Sequence, residues 1–147
     1  METIEKKYDN VKKALQRLGE SLSYFTHAKE KHLKLQLSSD EDIEYTVARD
    51  SIVQRFEFSV ELFWKYLRLY LEEHEKVELE ENTPRAVIRS GCQARILTEE
   101  QANSCMRMIA SRNLTCHIYK EEIAEQLARD IPQHWTLLKE LVARIQP

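Results

Sequence analysis

Ile4, Tyr8, Val11, Leu15, Leu18, Leu22 and Phe25 recur at alternating steps of four and three, and no other feature restricts the fold as much. That spacing returns at Ile52, Phe56, Val60, Phe63, Leu67 and Leu71, and again at Ile123, Leu127, Ile131, Trp135, Leu138, Val142 and Ile145. A period near 3.6 residues, sustained over three long segments, belongs to helices that each hide one face. Only two Gly and three Pro interrupt 147 residues, and strand-like alternation is missing. The expected fold is all-α.

Punctuation between the stripes places the helix ends. In "LSSDEDIEY" Ser38 or Ser39 can cap a second helix running from about 42 to about 74, with Glu41 or Asp42 at the capping-box position. The acids of "DED" then serve the helix dipole rather than a metal. Six Glu and one Lys between 72 and 81 read as a solvated helix end and loop. Thr83 before Pro84 starts a short helix to about 93, and Thr98 with Gln101 opens another to about 110. Pro132 interrupts the last stripe and predicts a kink or short break near Ile131. Gly19 is assigned to the side of the first helix opposite its apolar stripe, where it weakens the helix without ending it.

Long helices with short connections pack as an antiparallel up-and-down bundle of four to five helices, a single domain over 1–147. A chain of this length can bury about 70% of its unfolded surface. The second helix adds Trp64, Tyr66 and Tyr70 near its stripe, giving a face wide enough for a subunit interface as well as a core. No apolar run reaches the roughly 20 residues of a membrane span. "METIEKKYDN" has neither the basic start nor the apolar centre of a signal peptide. A soluble, cytoplasmic protein is expected. Cys92, Cys105 and Cys116 form no CxxC pair and no even set, so reduced thiols follow. A metal site on Cys105, Cys116 and His117 would lack a fourth ligand. Neither a metal nor another cofactor is expected.

Charge is unevenly distributed. Residues 84–118 hold Arg85, Arg89, Arg95, Arg107 and Arg112 against Glu99 and Glu100, a local +3 in a chain of net −3. Such a surface suits phosphate, although solvated helix faces carry arginines for less specific reasons.

Within this stretch lies "SRNLTCHIYK", residues 111–120. On one straight helix the five steps from Arg112 to His117 would leave their side chains roughly 140° apart. A shared site therefore requires a break, which Asn113 or Thr115 can provide. With that break, an imidazole of ordinary pKa near ~6.5 acts as general base or acid at neutral pH, and a guanidinium holds a phosphate and stabilises its developing charge. Together they suit metal-free RNA cleavage by the 2′-hydroxyl. Spacing alone is weak support, because Arg129 and His134 repeat the R-x4-H interval inside the last stripe, without a following Tyr.

"RNLTCHIY" resembles the R-x4-H-x-Y motif of HepT-like toxins in the HEPN superfamily. "IVQRFEFSVELFWKYLRLYLEE" and "TPRAVIRSGCQA" are similar to segments of the nucleotidyltransferase substrate-binding protein family, a branch of that superfamily. The resemblance spans nearly the whole chain. It implies a HEPN-like helical bundle, a homodimer whose two motifs face a shared cleft, and a complex with a minimal nucleotidyltransferase encoded nearby. Two readings follow from it. In one, the chain is a metal-independent ribonuclease toxin in which His117 is base or acid, Arg112 binds the scissile phosphate and Asn113 orients them, silenced when its partner adenylylates Tyr119. In the other, it cleaves nothing and presents a nucleotide or other substrate to the nucleotidyltransferase, with Arg85, Arg89, Arg107 and Arg112 as phosphate-binding candidates. A bundle serving only as an assembly partner is the third, plainer reading.

Overall fold

A computed structural model describes residues 2–147; Met1 lies outside the described residues. Five α-helices and one 3₁₀ turn are present: α1 (Ile4–Leu35), α2 (Ile43–His74), α3 (Pro84–Gln93), α4 (Glu99–Asn113), the 3₁₀ turn Thr115–His117, and α5 (Glu121–Arg144). No strand occurs among the described residues.

The caps explain most of these boundaries. Thr3, Thr83 and Thr98 each accept a hydrogen bond from the backbone N–H of the third residue on, and the Gln101 Oε1 accepts one from the Thr98 N–H, which completes a capping box. Pro84 occupies the first turn of α3, where its missing N–H costs nothing. The cap of α2 differs from expectation: it is Asp42, whose carboxylate accepts from the Tyr45 N–H at 3.1 Å. Ser38 instead donates its hydroxyl to Glu41 at 2.7 Å inside the preceding turn.

Side-chain ties set the helix directions. The Tyr8 hydroxyl donates to the Val142 carbonyl and Trp135 Nε1 to the Leu15 carbonyl, so α5 runs antiparallel to α1. Arg112 meets Glu61 and Thr115 meets Glu57, which sets α4 antiparallel to α2. Arg49 reaches Glu121 near one end of α2 and Tyr66 donates to the Ile145 carbonyl near the other, so α2 and α5 run parallel. This is the diagonal relation of an up-and-down bundle formed by α1, α2, α4 and α5. The short α3 packs on α2 and α4. Its Gly91 lets the connection to α4 fold back over it, because a Cβ there would stand 3.2 Å from Leu97.

The three stripes form the core, with Phe56, Phe63, Tyr66, Leu67, Ile131 and Leu138 fully buried. Each such side chain contributes about 1.5–3 kcal/mol of burial. One expectation needs correction, and of the kink or short break expected near Ile131 the break is absent. Gly19 faces α5: a Cβ on it would stand 2.6 Å from Trp135 Cζ2, so the glycine makes the seat for that indole. Helix α5 continues through Pro132 without a break, because Ile131 and Leu138 on either side stay locked in the core.

Candidate functional site

Helix α4 continues to Asn113, three residues beyond expectation, so Arg112 and Asn113 ride in its last turn. The chain then breaks. Buried Thr115 lies at the corner, its hydroxyl 2.8 Å from the Arg112 carbonyl and 3.0 Å from Glu57 Oε2. A hydroxyl bonded to a carbonyl three residues back competes with continued α-helix, and a single 3₁₀ turn follows, closed by the His117 N–H on the Leu114 carbonyl at 2.9 Å. Lys120 then caps α5 without a side-chain bond. The break that a site at Arg112 and His117 needs is therefore present.

The two motif residues have different neighbours. Arg112 is half-buried; its Nη2 lies 3.3 Å from Glu61 Oε2, and its Nε is buried without a hydrogen-bond partner. Burial pushes the Glu61 carboxyl up. Hydrogen bonds from Trp64 and Lys65, together with the charges of Lys65 and Arg112, pull it further down, so it stays ionised below the usual carboxylate range. His117 is exposed, with Nδ1 3.5 Å from the Tyr119 hydroxyl and the two rings edge-to-face at 6.0 Å. Tyr119 is 76% exposed, and the Lys120 ammonium lies 6.0 Å from its ring centroid. Asn113, the last residue of α4, is exposed.

The remaining arginines are spread out. Arg107 is exposed on α4 and donates to Ser104 at 2.8 Å. Arg85 and Arg89 are exposed on α3, a helix that does not touch the 3₁₀ turn. The cysteines lie apart in burial: Cys105 is enclosed, with its thiol pushed up to about 12, Cys92 is half-buried and Cys116 exposed. Among the described residues no three His, Cys, Asp or Glu side chains are arranged to hold a metal ion.

Three groups around the turn escaped the sequence reading. Glu57 and Glu61 present carboxylates to it from α2. His134 Nε2 shares a 3.1 Å hydrogen bond with Ser111, the residue before Arg112, while its ring stacks on Phe56 at 5.4 Å. Burial holds this imidazole below its ordinary value; Asp130 opposes that and Arg107 reinforces it. The third group is Arg49, only 3% exposed, whose Nη1 donates to Glu121 at 2.6 Å and Glu125 at 2.9 Å. The Tyr45 hydroxyl donates to the same Glu125, and His32 stacks on Tyr45 at 4.0 Å while bonding Asp42. This network fastens the first two turns of α5, immediately after Tyr119, to α2. Position was the available signal: Arg49 stands four residues after Tyr45 and three before Ile52, and His134 three after Ile131 and four before Leu138, each on an apolar stripe.

A family model described as nucleotidyltransferase substrate binding protein like matches residues 6–147. No curated protein matches the chain. Among solved structures, a protein of Thermus thermophilus is 31% identical, with a TM-score of 0.73 over 93% of this chain and 99% of its own. A second structure, described as a toxin–antitoxin with AMP-PNP, has a TM-score of 0.66 over 99% of this chain and 100% of its own; at 10% identity it shares the fold.

Proposed function

Because the chain belongs to the nucleotidyltransferase substrate binding protein like family, we propose that it is the helical partner subunit of a minimal nucleotidyltransferase and acts as a HEPN-type, metal-independent ribonuclease toxin. The observation that carries this reading is the break after Asn113, which puts a guanidinium and an imidazole on consecutive turns at the surface. Arg112 already holds an anion, the Glu61 carboxylate, and would exchange it for a scissile phosphate. His117 removes the proton of a 2′-hydroxyl, whose oxygen attacks the neighbouring phosphorus. Arg112 stabilises the charge on the five-coordinate phosphorus, and the 5′-oxygen leaves as it takes up a proton, giving a 2′,3′-cyclic phosphate and a 5′-hydroxyl. Asn113, next to Arg112 in the chain, orients them.

A shared cleft requires a second copy. Ile43 and Val47 at the start of α2 and Phe58 farther along are exposed on one line that also carries Asp50 and Gln54 and continues to Glu61, and exposed Leu114 lies on the adjoining turn. Phe58 and Leu114, exposed apolar groups beside the motif, fit a homodimer that brings two motifs face to face.

Control follows from Tyr119. Its hydroxyl oxygen attacks the α-phosphorus of ATP on the nucleotidyltransferase, pyrophosphate leaves, and the AMP left on Tyr119 sets a bulky anion beside His117 and Arg112, competing with the RNA backbone. The toxin–antitoxin fold neighbour, whose described structure contains an ATP analogue, supports this pairing.

The experiment is to express the chain and His117→Ala separately and to follow growth and total RNA with EDTA present. Degradation by the parent chain alone is expected; equal RNA integrity in both and no growth defect would overturn the ribonuclease reading. Co-expression with the neighbouring nucleotidyltransferase should add about 329 Da, one AMP, to Tyr119. The Arg112 Nε, a donor without a partner, also fits a second reading, a non-catalytic nucleotide-binding subunit. In that case nucleotide binding survives His117→Ala and falls when Arg112 is replaced.

A further inference from the structure

The motif occupies the side of the bundle formed by α2, α4 and the 3₁₀ turn, and α1 touches neither α4 nor that turn. On the other side, the α1–α5 seam carries two hollows of about 380 and 500 Å³ that share Trp135 as their common wall. Together they run from Tyr8 to Lys29, 21 residues of α1 and so about 32 Å. Their walls are mainly apolar, and their charged lining residues are Lys12, Lys29, Arg129 and Lys139, with no acid among them, in a chain whose net charge is −3. Lys139 lies 3.6 Å above the Trp135 ring, and Lys12 lies at the rim beside Asp9, 3.5 Å away.

A two-fold contact between copies sets the same patch against itself, so a groove whose lining charges are all positive repels its copy. The seam suits a different chain. An apolar floor about 32 Å long between two helices fits a helix of about 20 residues with an apolar ridge, and the four cations require carboxylates along its flanks.

We propose that the α1–α5 seam docks an acidic amphipathic helix of the nucleotidyltransferase, on the face opposite the motif, leaving the Ile43–Phe58 line of α2 for self-association. This rests on the pairing proposed above and specifies its surface. The Arg129 end of the seam lies eight residues, about 12 Å along α5, from Glu121, two residues after Tyr119, so a small domain seated on the seam reaches the modification acceptor around the start of that helix.

The test uses the full chain and the neighbouring nucleotidyltransferase, with affinity measured by biolayer interferometry at 50 and 200 mM salt. The double variants Lys12→Glu/Lys139→Glu and Lys29→Glu/Arg129→Glu are expected to bind at least about tenfold more weakly, with the deficit largest at low salt. Lys6→Glu/Lys13→Glu makes the same charge change on the far side of α1 and should bind like the parent, and thermal melts of all three establish folding. A complex that tolerates both seam variants as well as the control overturns the docking surface. Failure of the parent chain itself to bind overturns the pairing, and the seam with it. A single-stranded RNA oligonucleotide that loses binding on seam reversal, while the protein complex persists, also overturns the proposal.

Discussion

Replacing Arg49 with Met would test whether the buried ion network holds the start of α5, and with it Tyr119, in place. Methionine keeps most of the buried volume and removes the guanidinium. Three charged hydrogen bonds disappear, to Glu121 at 2.6 Å, to Glu125 at 2.9 Å and a longer one to the neighbouring, exposed Asp50 at 3.4 Å. Bonds to charged groups are worth about 1.5–3 kcal/mol each, and breaking a fully buried pair costs about 3–5 kcal/mol. Both figures need discounting here. The Glu121 side chain is 47% exposed and can return to water, and Glu125 keeps the Tyr45 hydroxyl on both its oxygens. A net loss of about 2–3 kcal/mol remains, or about 5–10 °C in the melting temperature of a chain this size. Circular dichroism melts at pH 7 measure it, and amide exchange should show lost protection around Ile118–Ala124. The pH dependence supplies a second check. The Arg49 hydrogen bond holds the Glu121 carboxyl below its ordinary value of 4.5, so its stabilisation is complete above that value and fades as pH falls through the lower, folded one. The gap between Arg49→Met and the parent should therefore narrow below about pH 4. A melting temperature within a degree of the parent at pH 7, or a gap constant down to pH 3, would refute the reasoning.

Three further outcomes follow from the same geometry. Gly19→Ala gains about 1 kcal/mol of helix propensity but forces a Cβ to 2.6 Å from Trp135, an overpacking cost of about 1–3 kcal/mol, so a lower melting temperature is expected; a higher one would show that the indole has room to move. His134 has its folded pKa below the unfolded value, so the unfolded chain takes up its proton first and stability falls as pH drops below about 6.5; His134→Gln, which can keep the Ser111 bond, should lose less between pH 7.5 and 5.5, and equal losses would exclude the imidazole as the cause. Thr115→Val removes the hydroxyl at the corner and should cost about 1–1.5 kcal/mol by denaturant titration while loosening the Arg112–His117 turn; an unchanged midpoint would show that the turn holds without it.

Helix existence and most helix ends were legible because their causes are local. A threonine cap and its partner lie three residues apart, and a stripe is a statement about neighbours at three and four. Asp42 replaced Ser38 and Ser39 as the α2 cap because five polar residues in a row offer several local solutions, and packing of Tyr45 against His32 and Arg49 selects one. Helix α4 passed Ala110 because Ser111 and Arg112, polar on paper, find partners in His134 and Glu61 across the bundle. Those partners lie 23 and 51 residues away in sequence, beyond the reach of any periodicity.

Three of the residues missed or misplaced, Glu57 and Glu61 aside, share one property that is visible in sequence. Gly19 stands four after Leu15, Arg49 four after Tyr45, and His134 three after Ile131, each on a stripe that is otherwise apolar. A helix position aimed at a neighbour has three physical solutions besides an apolar side chain. Gly19 has no side chain and admits Trp135; Arg49 brings a charge and finds carboxylates; His134 brings one hydrogen bond and meets Ser111. In each case the misfit marks where one helix is tied to another rather than where it is merely buried. Two of the three ties close on the segments flanking "RNLTCHIY": Ser111–His134 before it and Arg49–Glu121 after it. The motif turn is exposed and short, and its own bonds are few, so its geometry depends on these two anchors. Disabling both should affect Arg112 and His117 together more than either substitution predicts alone, and a double-mutant cycle of Arg49→Met with His134→Phe, read by exchange protection at the Cys116 and His117 amides, would show coupling above about 0.5 kcal/mol. Strict additivity would mean that the turn is held by Thr115 and Glu57 alone.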